Sequence, residues 1–201
     1  MKSGGGNRKG GAFERQICKD LSIWWSNGSR DDIFRRSATS GGRATIRSKK
    51  GKDTFGQYGD IAIADPIGQP LISLCTIELK TGYFTQSPFD LVDSPSRQNP
   101  HYKKFFEQCL REKKEAKTPH WLLIAKRKHK EIMVYMPHSF YRLCRMYLDE
   151  AFPSIRLSVP VGKTEQKIFG CPLVQFFRLL CPSRIVKILN TYKDKENADP
   201  K

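Results

Sequence analysis

The chain is 201 residues long, 38% hydrophobic and 28% charged, and its 36 Lys and Arg against 20 Asp and Glu give a formal net charge of +16. That length builds one core, with room for an appended subdomain and no need of disulfides, and no run of about 18 apolar residues reads as a membrane span. The excess of cations points to a polyanionic partner, nucleic acid ahead of an anionic membrane surface, because lysine and arginine that neutralise phosphates release condensed counterions.

Cys18, Cys75, Cys109, Cys144, Cys171 and Cys181 are scattered through apolar segments without a CxxC pair. The pattern predicts free thiols in a reducing compartment and offers no close-spaced ligand set for structural zinc. MKSGGGNRKGG at the start lacks the apolar stretch of a signal peptide, so an intracellular location is expected.

Residues 1–11, glycine-rich and basic, are expected to form a flexible arm. A helix is predicted from Ala12, since Phe13, Ile17, Leu21 and Trp24 recur at helical spacing, and Asn27-Gly28 supplies its stop. Trp24 and Trp25 are both expected in the core, with base stacking or a dimer contact as the alternative for one of them. Residues 33–38 read as a short strand. The polar, glycine-rich segment after it carries Arg43, Arg47, Lys49, Lys50 and Lys52 and reads as a mobile loop or hairpin near nucleic acid.

Two strands are predicted at 60–64 and 72–80, joined as a hairpin through Asp65-Pro66 and Gly68. Residues 100–116 predict a helix with Tyr102, Phe105, Phe106, Cys109 and Leu110 as its apolar stripe and lysines opposite. WLLIA at 121–125 reads as a buried strand, and 131–136 as another after the basic turn KRKHK. Residues 138–150 and 172–190 read as helices, 153–167 as irregular or strand, and the tail KDKENADPK as disordered.

The chemistry gathers around the two middle strands. Alternation along 72–80 puts Glu78 and Lys80 on one face, with Leu74 and Thr76 before them and Leu79 on the other. A Glu and a Lys ending an apolar strand are costly if buried without partners. Asp60 opens the neighbouring strand after Gly59, and pairing would bring its carboxylate beside Glu78. Two carboxylates that close repel unless a cation lies between them, and a hard, oxygen-preferring ion such as Mg²⁺ suits the position. Asp60 and Glu78 would hold that ion with the Leu79 carbonyl, and Lys80 would orient or deprotonate the attacking water. An Asp, a spacer of 17 residues and Glu-x-Lys is a weak string in isolation. Its bland alternative is a turn Asp with a surface Glu–Lys pair worth little.

The order of blocks adds specificity. GGAFERQICKDL in the opening helix, RSATSGG at 36–42, and GDIAIAD followed by CTIELK resemble the PD-(D/E)XK nuclease superfamily, and within it the archaeal-type Holliday junction resolvases. The likeness covers roughly residues 10–127. The resemblance implies an α/β restriction-endonuclease-like core, a mixed central sheet flanked by helices, with a C-terminal extension. It implies Mg²⁺ as cofactor, with Mn²⁺ substituting, and Asp60, Glu78, Lys80 and Glu14 as the catalytic set. Glu14 would extend the acidic cluster, its alternative being a carboxylate favoured by the helix dipole. Arg15 and Arg36 would contact phosphate and Ser40 would sit near it in the loop, while Arg43, Arg47, Lys49 and Lys50 would bind DNA. Gln108 is a candidate site-facing amide, with an ordinary helix surface position as its alternative.

Some features depart from the resemblance. The stretch from Ser40 to Asp60 is long for a compact resolvase, Gly59 stands where Pro gives the superfamily its name, and residues 128–201 extend past the likeness. His101, His120, His129 and His138 form no motif, which disfavours histidine-led nuclease chemistry. The expected organisation is a basic arm (1–11), a nuclease core (12–136), a helical extension (137–192) and a tail (193–201). The leading expectation is a Mg²⁺-dependent endonuclease on branched DNA, a homodimer because paired cuts across a junction need two sites. A restriction-like or phage-type enzyme on duplex DNA and a non-catalytic nucleic-acid-binding protein are the alternatives. No membrane partner is expected, and the location would be cytoplasm, nucleoid or, for a phage protein, host cytoplasm.

Overall fold

The computed structural model describes residues 5–37, 58–83, 86–93, 101–145, 153–161 and 164–198. Helix α1 (Gly5–Trp25) leads into an antiparallel ribbon of β1 (Phe34–Arg36) and β2 (Ile61–Ile63), followed by a 3₁₀ turn (Pro66–Gly68) and short α2 (Gln69–Leu74). Strand β3 (Cys75–Thr81), α3 (Asp90–Asp93), α4 (His101–Ala116), β4 (His120–Lys126) and β5 (Ile132–Pro137) come next. After α5 (His138–Arg145), β6 (Ile155–Val161) and β7 (Thr164–Pro172) pair, and α6 (Leu173–Leu179) and α7 (Pro182–Ala198) close the described chain.

The central sheet has five strands in the order β3-β4-β5-β7-β6. Only β3 and β4 are parallel, because α4 carries the chain back over the sheet between them. Alternation makes both faces apolar. Ile77, Leu79, Leu122 and Ile124 join one core with α1, α2, α5, α6 and α7, while Trp121, Leu123 and Ala125 join the other beneath Tyr102, Phe105 and Phe106 of α4. The result is a mixed α/β architecture compatible with a restriction-endonuclease-like core.

Helix α1 follows the predicted stripe, with Ile17 and Leu21 fully buried. It ends as expected at Asn27 (φ 52°) and Gly28 (φ 90°), where the Gly28 N–H reaches back to the Ile23 carbonyl at 2.7 Å. It begins at Gly5 rather than Ala12, so part of the expected arm is helical. Both tryptophans are anchored: Trp24 Nε1 donates to the Phe177 and Leu180 carbonyls at 3.0 and 2.8 Å, and Trp25 Nε1 to the Ile67 carbonyl at 2.9 Å.

The 60–64/72–80 hairpin is corrected. Residues 72–74 belong to α2, whose Pro70 favours a helix start over a ladder position and whose Leu71 and Leu74 bury one face. Leu74 therefore does not share the Glu78 face. β2 pairs with β1 instead, and its approach to β3 is carried by the Asp60 N–H donating to the Ile77 carbonyl at 2.8 Å.

The C-terminal part also differs from expectation. Within 153–167, expected as irregular or strand, β6 and the start of β7 extend the same sheet, so the extension expected as helical at 137–192 also contains strands. The single helix expected at 172–190 is two, broken where Leu180 is extended (φ −115°, ψ 117°) ahead of Pro182. Helix α7 runs to Ala198, into the stretch expected to be disordered. Residues 146–150 of the helix expected at 138–150 lie outside the described residues. Cys18, Cys75, Cys109, Cys144 and Cys171 are buried free thiols, and Cys181 is exposed. No described helix is long and apolar enough to cross a membrane.

Candidate active site

The chain enters β2 through a turn that only glycine permits. Gly59 has φ +75°, and a Cβ there would lie 2.6 Å from the Ile77 carbonyl oxygen. Its absence lets the ribbon press against β3. Ser37 holds the turn from behind, its N–H donating to the Asp60 carbonyl at 2.9 Å and its hydroxyl to the Gly59 carbonyl at 2.7 Å. From the front, the Gly59 N–H donates to Glu112 Oε2 at 3.0 Å. Asp60 is thereby fixed beside β3, where Oδ2 accepts the Leu79 N–H at 2.8 Å.

Glu78 and Lys80 leave β3 on the α4 side. Glu78 is only 1% exposed, which demands partners. Its Oε2 accepts from Lys80 Nζ at 2.8 Å and from Gln108 Nε2 at 2.7 Å. Gln108 also donates to Glu112 Oε1 at 2.8 Å, so one amide ties the strand acid to the helix acid. Gln108 and Glu112 sit one helical turn apart on α4, beside the buried stripe of Phe105 and Cys109.

Burial drives the electrostatics. It raises the Asp60 carboxyl to about 6, opposed by Lys80 and the Leu79 N–H and reinforced by Glu14 and Glu112. It raises Glu78 to about 10, helped by a hydrogen bond with Glu112 and by the charge of Asp60. Burial also pushes Glu112 upward, but hydrogen bonds with Glu78, Gln108 and the Gly59 N–H bring it below the ordinary value. Of these two acids, Glu78 has the higher affinity for a proton and Glu112 the lower. For Lys80, desolvation favours the neutral amine, but Glu78 and Asp60 outweigh it and hold the ammonium charged.

A second group adjoins this one. Glu14 of α1 and Arg36 of β1 form an ion pair. The Arg15 guanidinium lies alongside, for a Cβ on Gly11 would meet Arg36 Nη1 at 3.3 Å and Arg15 Nη1 at 3.6 Å. The fold therefore brings together Asp60, Glu78, Lys80 and Gln108, with Glu14, Arg36 and Arg15 at the margin. Ser40, Arg43, Arg47, Lys49, Lys50 and Lys52 lie outside the described residues. Sequence reasoning missed Glu112 and Ser37. The i, i+4 spacing of Glu112 from Gln108 was the one signal for the first, and Ser37 lay in the RSATSGG block without being singled out.

The family described as "Phage putative PDDEXK endonuclease" matches residues 5–179. The match runs past the likeness seen at 10–127, taking in β5, α5, the β6–β7 pair and α6. No curated protein and no solved structure matches the chain. The resemblance to junction resolvases rests on the sequence blocks alone, whereas on this match the chain belongs to the phage PDDEXK endonuclease family, a family of nucleases.

Proposed function

We propose that the chain is a divalent-metal-dependent DNA endonuclease that hydrolyses phosphodiester bonds at the cluster between β2, β3 and α4. The observation that carries this reading is the meeting of Asp60, Glu78 and Lys80 across the β2–β3 contact, with Glu78 buried in an ion pair. A buried pair of this kind is weak evidence for stability, since burying the charges costs about what their attraction returns. A functional demand explains it better.

Nucleases of this superfamily generally depend on a divalent metal, and the donor set fits one. Asp60 and Glu78 offer hard oxygens whose affinity for protons is raised by burial and mutual repulsion, as expected where positive charge is wanted. The Leu79 main chain faces Asp60 and would add its carbonyl. Among the described residues no three His, Cys, Asp or Glu side chains converge on one point. An ion held here would therefore keep several waters, as Mg²⁺ does and Mn²⁺ tolerates. When bound, it supplies positive charge to the scissile phosphate and acidifies a water.

The protein's own groups do the rest. Glu78 and Asp60 favour the ammonium form of Lys80, which would donate to a phosphate oxygen or orient the attacking water. Gln108 fixes the Glu78 carboxylate, and Glu112 fixes the turn that presents Asp60. Glu14 orients Arg36 for a phosphate and, with Arg15 beside it, sets a cationic rim. Ser40, Arg43, Arg47, Lys49 and Lys50 would add backbone contacts from the segment between β1 and β2.

The family's description as a phage endonuclease fits a phage-type enzyme, for which we read duplex DNA as the substrate. A second reading, cleavage of branched DNA by a homodimer, is carried by the Phe13-Glu14-Arg15 and Arg36–Gly42 blocks. Labelled four-way junction, linear duplex, single strand and RNA, each with Mg²⁺, Mn²⁺ or EDTA, test both. Metal-dependent cutting of DNA is expected. Failure to cut any probe in either metal defeats the enzyme reading, and equal cutting of duplex and junction defeats the junction reading alone.

A further inference from the structure

The sheet end that carries Lys80 also gathers a basic turn and an exposed aromatic pair. β3 and β4 run parallel with Lys80 opposite Ala125 and Thr81 opposite Lys126, so the β4–β5 turn starts where β3 stops. Leu123 lies opposite Glu78, and continuing the alternation through Ala125 places Arg127 toward the face that holds Glu78 and Lys80. The charge of Arg127 also acts on Tyr102 and Tyr135, both buried on that face. Lys128, His129 and Lys130 complete the turn and are exposed, and Lys126 Nζ closes it on the Lys130 carbonyl at 2.7 Å. Cations crowded into one turn repel each other. Among the described residues none of these is in an ion pair with an acid. At about 3.3 Å per strand residue, the turn lies on the order of 10 Å from Lys80.

The aromatic pair stands on the same side. Tyr83, 37% exposed, follows β3 closely, its ring 4.9 Å from His101 and 4.8 Å from Phe105 between centroids. Phe105 lies under Lys80, with Nζ 5.8 Å from its ring centre. Aromatic surface thus runs from the candidate catalytic lysine to solvent. Exposed rings beside a cationic track are the arrangement that binds unpaired strands, where cations follow the backbone and rings stack bases. A fully stacked duplex offers the phosphates but no free base face.

We infer that this sheet end is a subsite for an unpaired stretch of DNA flanking the scissile phosphate. Arg127, Lys128 and Lys130 take backbone phosphates, and Tyr83 with His101 stacks a base. The inference rests on the DNA-endonuclease reading for its ligand and adds the feature the substrate must present: a nucleotide out of the stack. That requirement is compatible with both substrate readings, since flaps and locally opened junctions or duplexes supply one.

Binding in EDTA separates this from catalysis, because affinity is read whether or not the protein cuts. The full chain is titrated by fluorescence anisotropy against a splayed-arm duplex with unpaired ends and against a fully paired duplex of the same sequence. Tighter binding to the splayed probe is expected. Tyr83→Ala should weaken that probe about tenfold and the paired one by less than twofold, while Tyr83→Phe, which keeps the stacking face, should match the wild type. Arg127→Ala/Lys128→Ala/Lys130→Ala should lower the slope of log K against log salt by about 2 to 3 on the splayed probe. The inference is overturned by equal wild-type affinity for the two probes, by a Tyr83→Ala loss that is absent or the same on both, or by an unchanged salt slope. Absence of cutting in Mg²⁺, with these binding differences intact, would count against the enzyme reading only.

Discussion

Asp60, Glu78 and Glu112 lie near one another and near Lys80, and burial is the largest influence on each carboxyl, with hydrogen bonds and neighbouring charges next. Removing a carboxylate there should cost function while sparing the fold. Asp60→Asn keeps an acceptor for the Leu79 N–H and removes repulsion, so its melting temperature in EDTA should equal or exceed that of the wild type while cleavage disappears. Lys80→Ala is a different case. It leaves Glu78, 1% exposed, without its cation, a loss on the order of 3–5 kcal/mol if the carboxylate stays charged and less if it keeps a proton. Glu112 separates by conservative replacement. Glu112→Gln retains an oxygen for the Gly59 N–H and should retain most of the rate, whereas Glu112→Ala frees the turn and should lower kcat with DNA affinity unchanged. If both variants cut like the wild type, Glu112 has no positioning role. At this scale the sequence was readable where strand alternation set a residue's face, as for Glu78 and Lys80. Glu112 was not readable, because an acid among the lysines of α4 resembles an ordinary surface pair until the helix is laid against β3.

Elements fix these residues through a few contacts that patterning does not reveal. The β1–β2 ribbon meets β3 through the Gly59–Asp60 turn, and this close approach replaced the predicted hairpin. Asp65, Pro66 and Gly68 were read as a turn between strands, yet they build a capped 3₁₀ turn that leads into a helix opened by Pro70. Gly59→Ala tests the contact. A Cβ 2.6 Å from the Ile77 carbonyl at φ +75° must displace the ribbon, so a lowered melting temperature and loss of cleavage are expected together. An unaffected Gly59→Ala would mean that the turn does not position Asp60. At the start of β4, His120 stacks on Phe140 at 4.5 Å and pairs with the Tyr192 hydroxyl at 2.8 Å. Burial, with Lys113 nearby, lowers its imidazole to about 4. Between the unfolded value near 6.5 and about 4 the unfolded chain takes up a proton that the folded one refuses. The His120 contribution is therefore present above pH 6.5 or so and lost as pH falls through that window. Because the carboxyl cluster titrates with the opposite sign, the readout is the difference between wild type and His120→Gln. The wild type should lose more melting temperature from pH 7 to pH 5, and parallel curves would refute this.

Across the whole molecule, one sheet unites what sequence reading divided. A boundary near residue 136 followed the end of the likeness, but β6 and β7 extend the central sheet, and α6 and α7 pack in the same core as α1. The mixed α/β class was legible because buried strands such as WLLIA and amphipathic α4 carry strong local patterns. The later strands were legible only in part, with 153–167 read as irregular or strand, since Pro153, Pro160 and a charged run at 163–167 obscure their alternation. The net charge of +16 should make DNA binding fall steeply with salt in every variant, so affinity alone cannot report catalysis. Everything in the proposed reaction depends on Asp60, Glu78 and Lys80 acting as one metal-dependent cleavage centre. Single-turnover cleavage of labelled DNA in Mg²⁺ by the wild type, Asp60→Asn, Glu78→Gln and Lys80→Ala, each shown by circular dichroism to be folded and by anisotropy to bind DNA, measures it most directly. The wild type should cut and each variant should fall at least about a hundredfold; folded, DNA-bound variants that cut at the wild-type rate would rule this centre out.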